Sequence, residues 1–190
     1  MFTARFHRRS IALGLAAVAA LLAIAPVAAV NQVTQAVTPG TRSASVADLA
    51  LPSVAYSHSA QTSSGSMTLT ADDSTGSNLG WNVTVQSSAF VYSGANSGTS
   101  IPAANFALTS AAAPVMTAGQ AVDPLGVGGP KVPVISPVGT LDTARKTVQA
   151  QALFGNGTYT QALGVTLTIP AGSAAGTYTG TITTTVAAAP

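Results

Sequence analysis

Few residues of this sequence carry side chains that enzymes commonly use for catalysis. The chain has no cysteine, no glutamate and two histidines, of which only His58 lies outside the first ten residues. A Ser-His-Asp triad can be assembled on paper around His58, but the sequence has no Gly-x-Ser-x-Gly motif. One histidine without cysteine also provides too few ligands for a zinc site. We therefore predict that His58 is solvent-exposed or at a strand edge, and that the protein is not an enzyme.

The adjacent carboxylates of Asp72 and Asp73 are the second candidate for chemistry. Two acids can serve as the carboxylates of a glycosidase or bind a hard cation such as calcium. Neighbouring residues on a strand point to opposite faces, however, and no third acid is close in the sequence. We predict a turn in which these side chains accept hydrogen bonds from backbone amides, and no cofactor, with calcium as the less favoured alternative.

Trp81 is the only tryptophan, and it begins a segment in which Val83 and Val85 alternate with polar residues. An aromatic ring on a sheet surface can stack on sugars, whereas a ring that points inward fills the space between two sheets. Trp81 shares its face with Val83 and Val85, and this favours burial.

The charged residues indicate export and exclude nucleic-acid binding. Three arginines, at positions 5, 8 and 9, precede an apolar run over residues 11–25, which is typical of a signal peptide, here residues 1–29. A retained membrane anchor is the alternative, because residues 11–30 approach the roughly 20 residues of a spanning helix. Without these arginines, four cations face five aspartates and the net charge is −1. Four scattered cations are too few for a phosphate-binding surface.

The elements that must position these residues are strands. Apolar and polar residues alternate over residues 67–71, 81–85, 163–169 and 177–186, with turn residues between successive segments. We predict one hairpin from the first two segments and a C-terminal hairpin from the last two. Weaker strands are predicted at residues 45–55, 90–92, 105–109 and 146–153. The pattern favours an all-β fold, an antiparallel β-sandwich that is Ig-like or jelly-roll-like, with a barrel as the alternative.

The chain is predicted to form a single domain after the signal peptide. Residues 30–43 are polar and contain Pro39-Gly40, which indicates a linker or a flexible arm. The domain itself is predicted over residues 44–190. Within it, residues 111–139 contain five prolines and a Gly-Gly pair, so we expect a surface crossover with few ladder hydrogen bonds.

Two parts of the chain resemble the WxL domain of Gram-positive surface proteins. Residues 67–73, a loop, and Gly80-Trp81-Asn82-Val83 are similar to the family's strand, acidic turn and Gly-Trp-x-Leu strand. Residues 155–159, 167–170 and 175–182, with Tyr178, are similar to its closing hairpin, so that the resemblance spans residues 45–186. The second Trp-x-Leu motif of the family falls at Thr184-Thr185-Val186, where threonine replaces tryptophan. The motif residues, which either bind ligand or build the core, are therefore Trp81, Asn82, Val83, Tyr178, Thr184 and Val186.

The resemblance implies a secreted, non-catalytic protein of the cell surface that binds peptidoglycan without a covalent link. It also implies possible partners, namely other WxL proteins and a membrane-anchored companion. A second hypothesis belongs to another class: a structural subunit of a fibre or coat that assembles by strand addition at an open sheet edge, with the 30–43 arm as donor strand.

Overall fold

The structure, a computed structural model, describes residues 32–135 and 137–188. The predicted signal peptide, and the alternative of an anchor over residues 11–30, lie outside these residues. Within the described ranges, no helix has the length and apolarity needed to cross a membrane.

Strands are nearly the only regular elements of the described chain, which confirms the all-β prediction. A single 3₁₀ turn at Ala103–Asn105 interrupts the strand order. The strands, in chain order, are β1 Arg42–Val46, β2 Gln61–Asp73, β3 Trp81–Ser87, β4 Val91–Ser93, β5 Phe106–Ala111, β6 Val115–Gly119, β7 Gly139–Thr140, β8 Arg145–Ala150, β9 Gly157–Ile169, β10 Thr177–Thr179 and β11 Ile182–Ala188.

These strands form two main sheets and a small ribbon, and every strand pair is antiparallel, as predicted. The larger sheet has the order β1-β2-β9-β5-β7, and β6 also pairs with β9. The smaller sheet has the order β11-β3-β8, and β10 pairs with β4. At the centre of the larger sheet, β2 and β9 pair over 13 residues each, from Gln61 opposite Ile169 to Asp73 opposite Gly157. The arrangement is consistent with a β-sandwich.

Both predicted hairpins are wrong, although their strands exist. β2 and β3 follow each other in the chain but belong to different sheets, and so do β9 and β11. The segment 177–186 is also divided, because β10 ends at Thr179 and β11 begins at Ile182. Alternation fixes which face of a strand is buried, but it does not choose the strand's neighbour. Each predicted turn therefore carries the chain from one sheet to another.

Several weaker predictions change in detail. β1 begins at Arg42, inside the segment 30–43 that was predicted as an arm, and it pairs with β2. The strand predicted at residues 45–55 stops at Val46, and residues 47–60 have no regular strand. β6 lies inside the predicted crossover 111–139, so part of that segment does join a ladder. The strands predicted at 90–92, 105–109 and 146–153 correspond to β4, β5 and β8.

The core lies between the inner faces of the strands. On β2, Met67, Leu69 and Ala71 are buried, and on β9 the alternate residues from Tyr159 to Leu167 are buried. The outward positions of both strands carry mainly threonine and serine, as in the hydrogen-bonded pair Ser64–Thr166 at 2.8 Å. The period-2 pattern therefore produces one apolar and one hydroxyl-rich face on the larger sheet.

Candidate functional site

The indole ring of Trp81 points into the core. Trp81 is 1% exposed, and its Nε1–H donates a 2.9 Å hydrogen bond to the carbonyl of Gly155. The ring centroid lies 6.1 Å from that of Tyr159, with the planes tilted by 43°. Gly155 has φ +83, and a Cβ atom there would lie 2.7 Å from the indole nitrogen. This ring cannot stack on a sugar without leaving the core.

The two motif segments lie side by side on neighbouring strands. β3 and β11 pair so that Val83 is opposite Val186, and Val85 is opposite Thr184. Val83 is fully buried and Val186 packs against the core. Asn82, the middle residue of the first motif, is only 7% exposed. Sequence reasoning placed both motifs in the domain, but it did not detect that they are adjacent.

Thr184, where the family pattern has tryptophan, makes a polar contact across the two sheets. Its hydroxyl donates a 2.8 Å hydrogen bond to the carbonyl of Ala44 on β1. β1 belongs to the larger sheet and β11 to the smaller one, so this bond joins the two sheets at one edge. The position therefore has a structural contact even without an aromatic ring.

The two aspartates at the end of β2 are held by neighbouring side chains. Asp73 is 3% exposed, forms a 3.0 Å ion pair with Arg42, and accepts hydrogen bonds from the amide and hydroxyl of Thr75. Burial acts to raise the pKa of Asp73, but the bonds from Thr75 and Arg42 outweigh it and hold that pKa below the ordinary 3.8. Asp72 accepts hydrogen bonds from the hydroxyls of Ser74 and Thr158. The predicted contact with a backbone amide is thus present at Asp73, while the hydrogen bonds to Asp72 come from side chains.

His58 is exposed, as predicted, and its ring lies edge-on to Tyr56 with centroids 5.1 Å apart. Within residues 32–135 and 137–188, no group of three or more histidine or acidic side chains is placed to hold a metal ion. The described side chains offer no assembled catalytic constellation around His58.

The structure contains a cleft of about 930 Å³, which we call the tyrosine cleft. One wall is the irregular segment 46–57, and the other is formed by residues 169–182. The hydroxyl of Ser63 donates to the carbonyl of Pro52 at 2.7 Å, and the amide of Gly172 donates to the carbonyl of Ser57 at 2.9 Å. These bonds tie the first wall to β2 and to the second wall.

The floor of the tyrosine cleft is apolar and its rim is mixed. Phe90 and Phe106 meet at the floor with ring centroids 5.2 Å apart. On one wall, Tyr56 is 59% exposed. On the other, the partly exposed Tyr178 donates its hydroxyl to the carbonyl of Ala174 at 2.9 Å and packs on Tyr92. Among the described residues, Asp48 is the only charged one that lines the cleft.

This chemistry suits a ligand with apolar ring or methyl surfaces and with hydrogen-bond donors. Tyrosine faces can cover the CH surfaces of a sugar or a small peptide, and an acidic rim can pair with an ammonium group. Of the predicted motif residues, only Tyr178 lines the cleft; Trp81, Asn82, Val83, Thr184 and Val186 do not. Sequence reasoning missed the cleft because residues 45–55, most of its first wall, were predicted as a strand. The apolar residues Leu49, Leu51, Val54 and Tyr56 in a non-repeating pattern were the available signal.

The fold and the site define a class of protein, an antiparallel β-domain with a cleft and a buried Trp-x-Val strand. Comparison with protein families identifies the member: residues 23–190 match the model for the WxL domain, described as surface cell wall-binding. The chain belongs to the WxL family, and its place is the cell surface and cell wall. Comparisons with curated proteins and with solved structures gave no significant match.

Proposed function

We propose that the protein attaches non-covalently to peptidoglycan and that the tyrosine cleft is its binding site. The observation that carries this proposal is the combination, in one 930 Å³ cleft, of an apolar floor, two tyrosines and a single carboxylate. The family's wall-binding description supports the wall as ligand. The burial of Trp81 supports the cleft over the Trp-x-Val motif as the contact surface.

Within the cleft, we assign Tyr56 to ring contact and Asp48 to charge. Tyr56 is exposed enough to cover a sugar ring or a methyl group of the ligand. Asp48 lies on the same wall and is the group that would pair with an ammonium of a peptide stem. Tyr178, fixed by its bond to Ala174, would form the opposite side.

Co-sedimentation with insoluble sacculi tests the site. We expect Tyr56→Ala to weaken binding about tenfold, because losing a central aromatic contact costs about 1–2 kcal/mol. Asp48→Asn should weaken binding and remove its salt dependence. Val115→Ala is the matched control, because Val115 is 61% exposed and lies on β6 outside the cleft. Unchanged binding by both cleft variants, or full recovery of the wild-type protein in the supernatant, would reject the proposal.

We further propose that the protein binds the wall without cleaving it. We also propose that residues 1–29 are a signal peptide that directs secretion and is then cleaved. The scarcity of catalytic side chains supports the first point. Prolonged incubation with sacculi should release no soluble fragments and no new reducing ends. For the second point, N-terminal sequencing of the wall-bound protein should begin near residue 30.

The family resemblance also suggests companions, other WxL proteins and a membrane-anchored protein. Their contribution is measured by adding each purified companion to the sacculus assay. A companion that belongs to the complex should raise the bound fraction of this protein, and it should do so for the cleft variants as well.

The alternative function, assembly into a fibre or coat, is favoured by one feature, the strand β6. All five residues of β6 are exposed, and its one strand partner among the described residues is β9. Such an edge can accept another strand. The proposed donor arm 30–43 is shorter than expected, because Arg42 and Ser43 already pair with β2. Light scattering at rising concentration, with and without residues 30–41, tests this alternative; a monomer throughout would exclude it.

A further inference from the structure

A second surface, separate from the tyrosine cleft, combines exposed aliphatic side chains with most of the domain's cations. We call it the apolar–basic strip and define it by seven residues: Leu125, Val127, Lys131, Val134, Ile135, Arg145 and Lys146. It follows the outer edge of β8, where Lys131 pairs with Gln149. None of these residues lines the tyrosine cleft.

The aliphatic side chains of the strip are unusually exposed. Leu125 is 83% exposed and Val127 68%, while Val134 and Ile135 are 92% and 88% exposed. Single exposed aliphatic residues are common on proteins, but a group on one loop usually marks a contact surface. The loop is held in place from within: Asp123 accepts hydrogen bonds from the amides of Leu125, Val127 and Gly128. The Leu125 and Val127 side chains are therefore presented by an ordered turn.

The strip also carries three basic side chains next to its aliphatic ones. Val134 and Ile135 line a shallow pocket together with Arg145 and Lys146. Lys131 reaches back to the carbonyl of Val127, so its ammonium lies at the foot of the apolar turn. The one ion pair among the described residues is Arg42–Asp73, so none of these three cations is in a salt bridge there.

Charge is consequently divided over the domain. Residues 123–146 hold the three strip cations and two aspartates, Asp123 and Asp142, which gives this segment a net charge of +1. The remaining described charges are Arg42 and three aspartates, which give −2. Asp48 of the tyrosine cleft belongs to the negative group. The segment that carries the exposed aliphatic residues is thus also net positive, although the described chain as a whole is slightly acidic.

We propose that the apolar–basic strip binds the surface of an anionic lipid bilayer. Surfaces that lie in a membrane interface combine apolar side chains such as leucine with lysine and arginine, and the strip places exposed aliphatic residues beside three cations. Protein-binding surfaces, by contrast, concentrate their energy in tryptophan, tyrosine and arginine, with few leucine and valine anchors. The strip has no aromatic residue, and the Nε of its arginine is occupied by the carbonyl of Thr140. Charge complementarity and composition therefore favour lipid as the occupant.

Vesicle co-sedimentation tests this proposal. The protein used is the form that is isolated from the cells that produce it. We expect binding to phosphatidylglycerol vesicles to exceed binding to phosphatidylcholine vesicles at least tenfold, and to fall with salt. Lys146→Gln should reduce binding about fivefold. Val134→Ser combined with Ile135→Ser should reduce it about tenfold or more. The control pair, Val91→Ser with Val115→Ser, removes two valines that are each 61% exposed on other strands and should bind like wild type.

Circular dichroism of every variant establishes that it is folded before binding is compared. No association with phosphatidylglycerol vesicles, or an equal loss in the strip and control pairs, would overturn the proposal. Sedimentation velocity without lipid covers the other occupant: a dimer that dissociates in the Val134→Ser, Ile135→Ser variant would assign the strip to a second copy of the chain. None of these outcomes depends on peptidoglycan binding, because the sacculus assay reports on a different surface.

Discussion

Replacing Trp81 by phenylalanine separates a structural role of the motif tryptophan from a role in binding. In the structure, the ring is 1% exposed and its N–H is bonded to the carbonyl of Gly155 at 2.9 Å. Phenylalanine retains an aromatic ring in the same space but lacks the donor. If the ring serves the core, stability should fall while wall binding is unchanged for the folded molecules.

The size of the loss follows from two contributions. Leaving the Gly155 carbonyl without its partner costs about 1–3 kcal/mol. The indole buries roughly 40 Å² more than a phenyl ring, and this is worth about 1 kcal/mol at 25 cal/mol/Å². We therefore expect a loss of about 2–4 kcal/mol for Trp81→Phe. Trp81→Ala should cost about 3–5 kcal/mol, which approaches the whole stability of many domains.

Urea unfolding followed by far-ultraviolet circular dichroism measures the loss, because the variant has no tryptophan for fluorescence. Tyr159→Phe is the control: it removes one hydroxyl, bonded to the carbonyl of Gln120 at 2.6 Å, but keeps the neighbouring ring. It should lose about 1 kcal/mol. Sacculus binding is then compared where all three proteins are folded. A Trp81→Phe protein of wild-type stability that no longer binds sacculi would refute the core role.

Three further predictions concern other contacts of the domain. The contacts that lower the pKa of Asp73 stabilise the fold fully above about pH 4, and this stabilisation is lost as the pH falls through the still lower folded pKa. In urea unfolding, Asp73→Asn should therefore lose less stability on acidification than wild type. An identical acid profile would contradict this. Gly155→Ala should lower the free energy of unfolding by more than about 1 kcal/mol in a thermal melt, because φ of Gly155 is +83 and the new Cβ would lie 2.5 Å from the Cβ of Ala150. An unchanged melting temperature would contradict this. Thr184→Val should cost about 1 kcal/mol in urea unfolding, since the carbonyl of Ala44 loses its donor, whereas Thr185→Val, an outward-facing control on the same strand, should cost little.

Sequence reasoning was most successful where burial of one face of a strand makes apolar and polar residues alternate. The alternation around Leu69 and Val165 predicted the buried faces of β2 and β9 correctly, because burial on one face imposes a period of two. Turn residues between strands indicated a reversal, but a reversal within a sheet and a passage to the opposite sheet use the same residues. The pairing of β2 with β9, between residues up to 108 positions apart, has no local signal.

The candidate sites were the least predictable part. The tyrosine cleft is lined by segments far apart in the chain. Tyr56 and Tyr178 line the same cleft only because of the tertiary fold. The aliphatic residues of the apolar–basic strip lie in the Pro- and Gly-rich segment, whose prolines indicated a loop but not which of its residues would be exposed. Side-chain chemistry could be listed from the sequence, whereas its assembly depends on long-range strand pairing.

The position of β9 along the chain bears on when the molecule can fold. The pairs that β2, β5 and β6 form with β9 all require residues 157–169. β2 can pair with β1, and β3 with β8, before then, but the second partner of β3 is β11, which follows β9 in the chain. Contacts between residues so far apart in the sequence form slowly, because the entropy of closing a large loop is lost before the contacts stabilise the chain. An emerging chain therefore has neither sheet complete until almost its full length is available. If the chain is exported in an unfolded state, this strand order delays the completion of both sheets until most of the chain has been made.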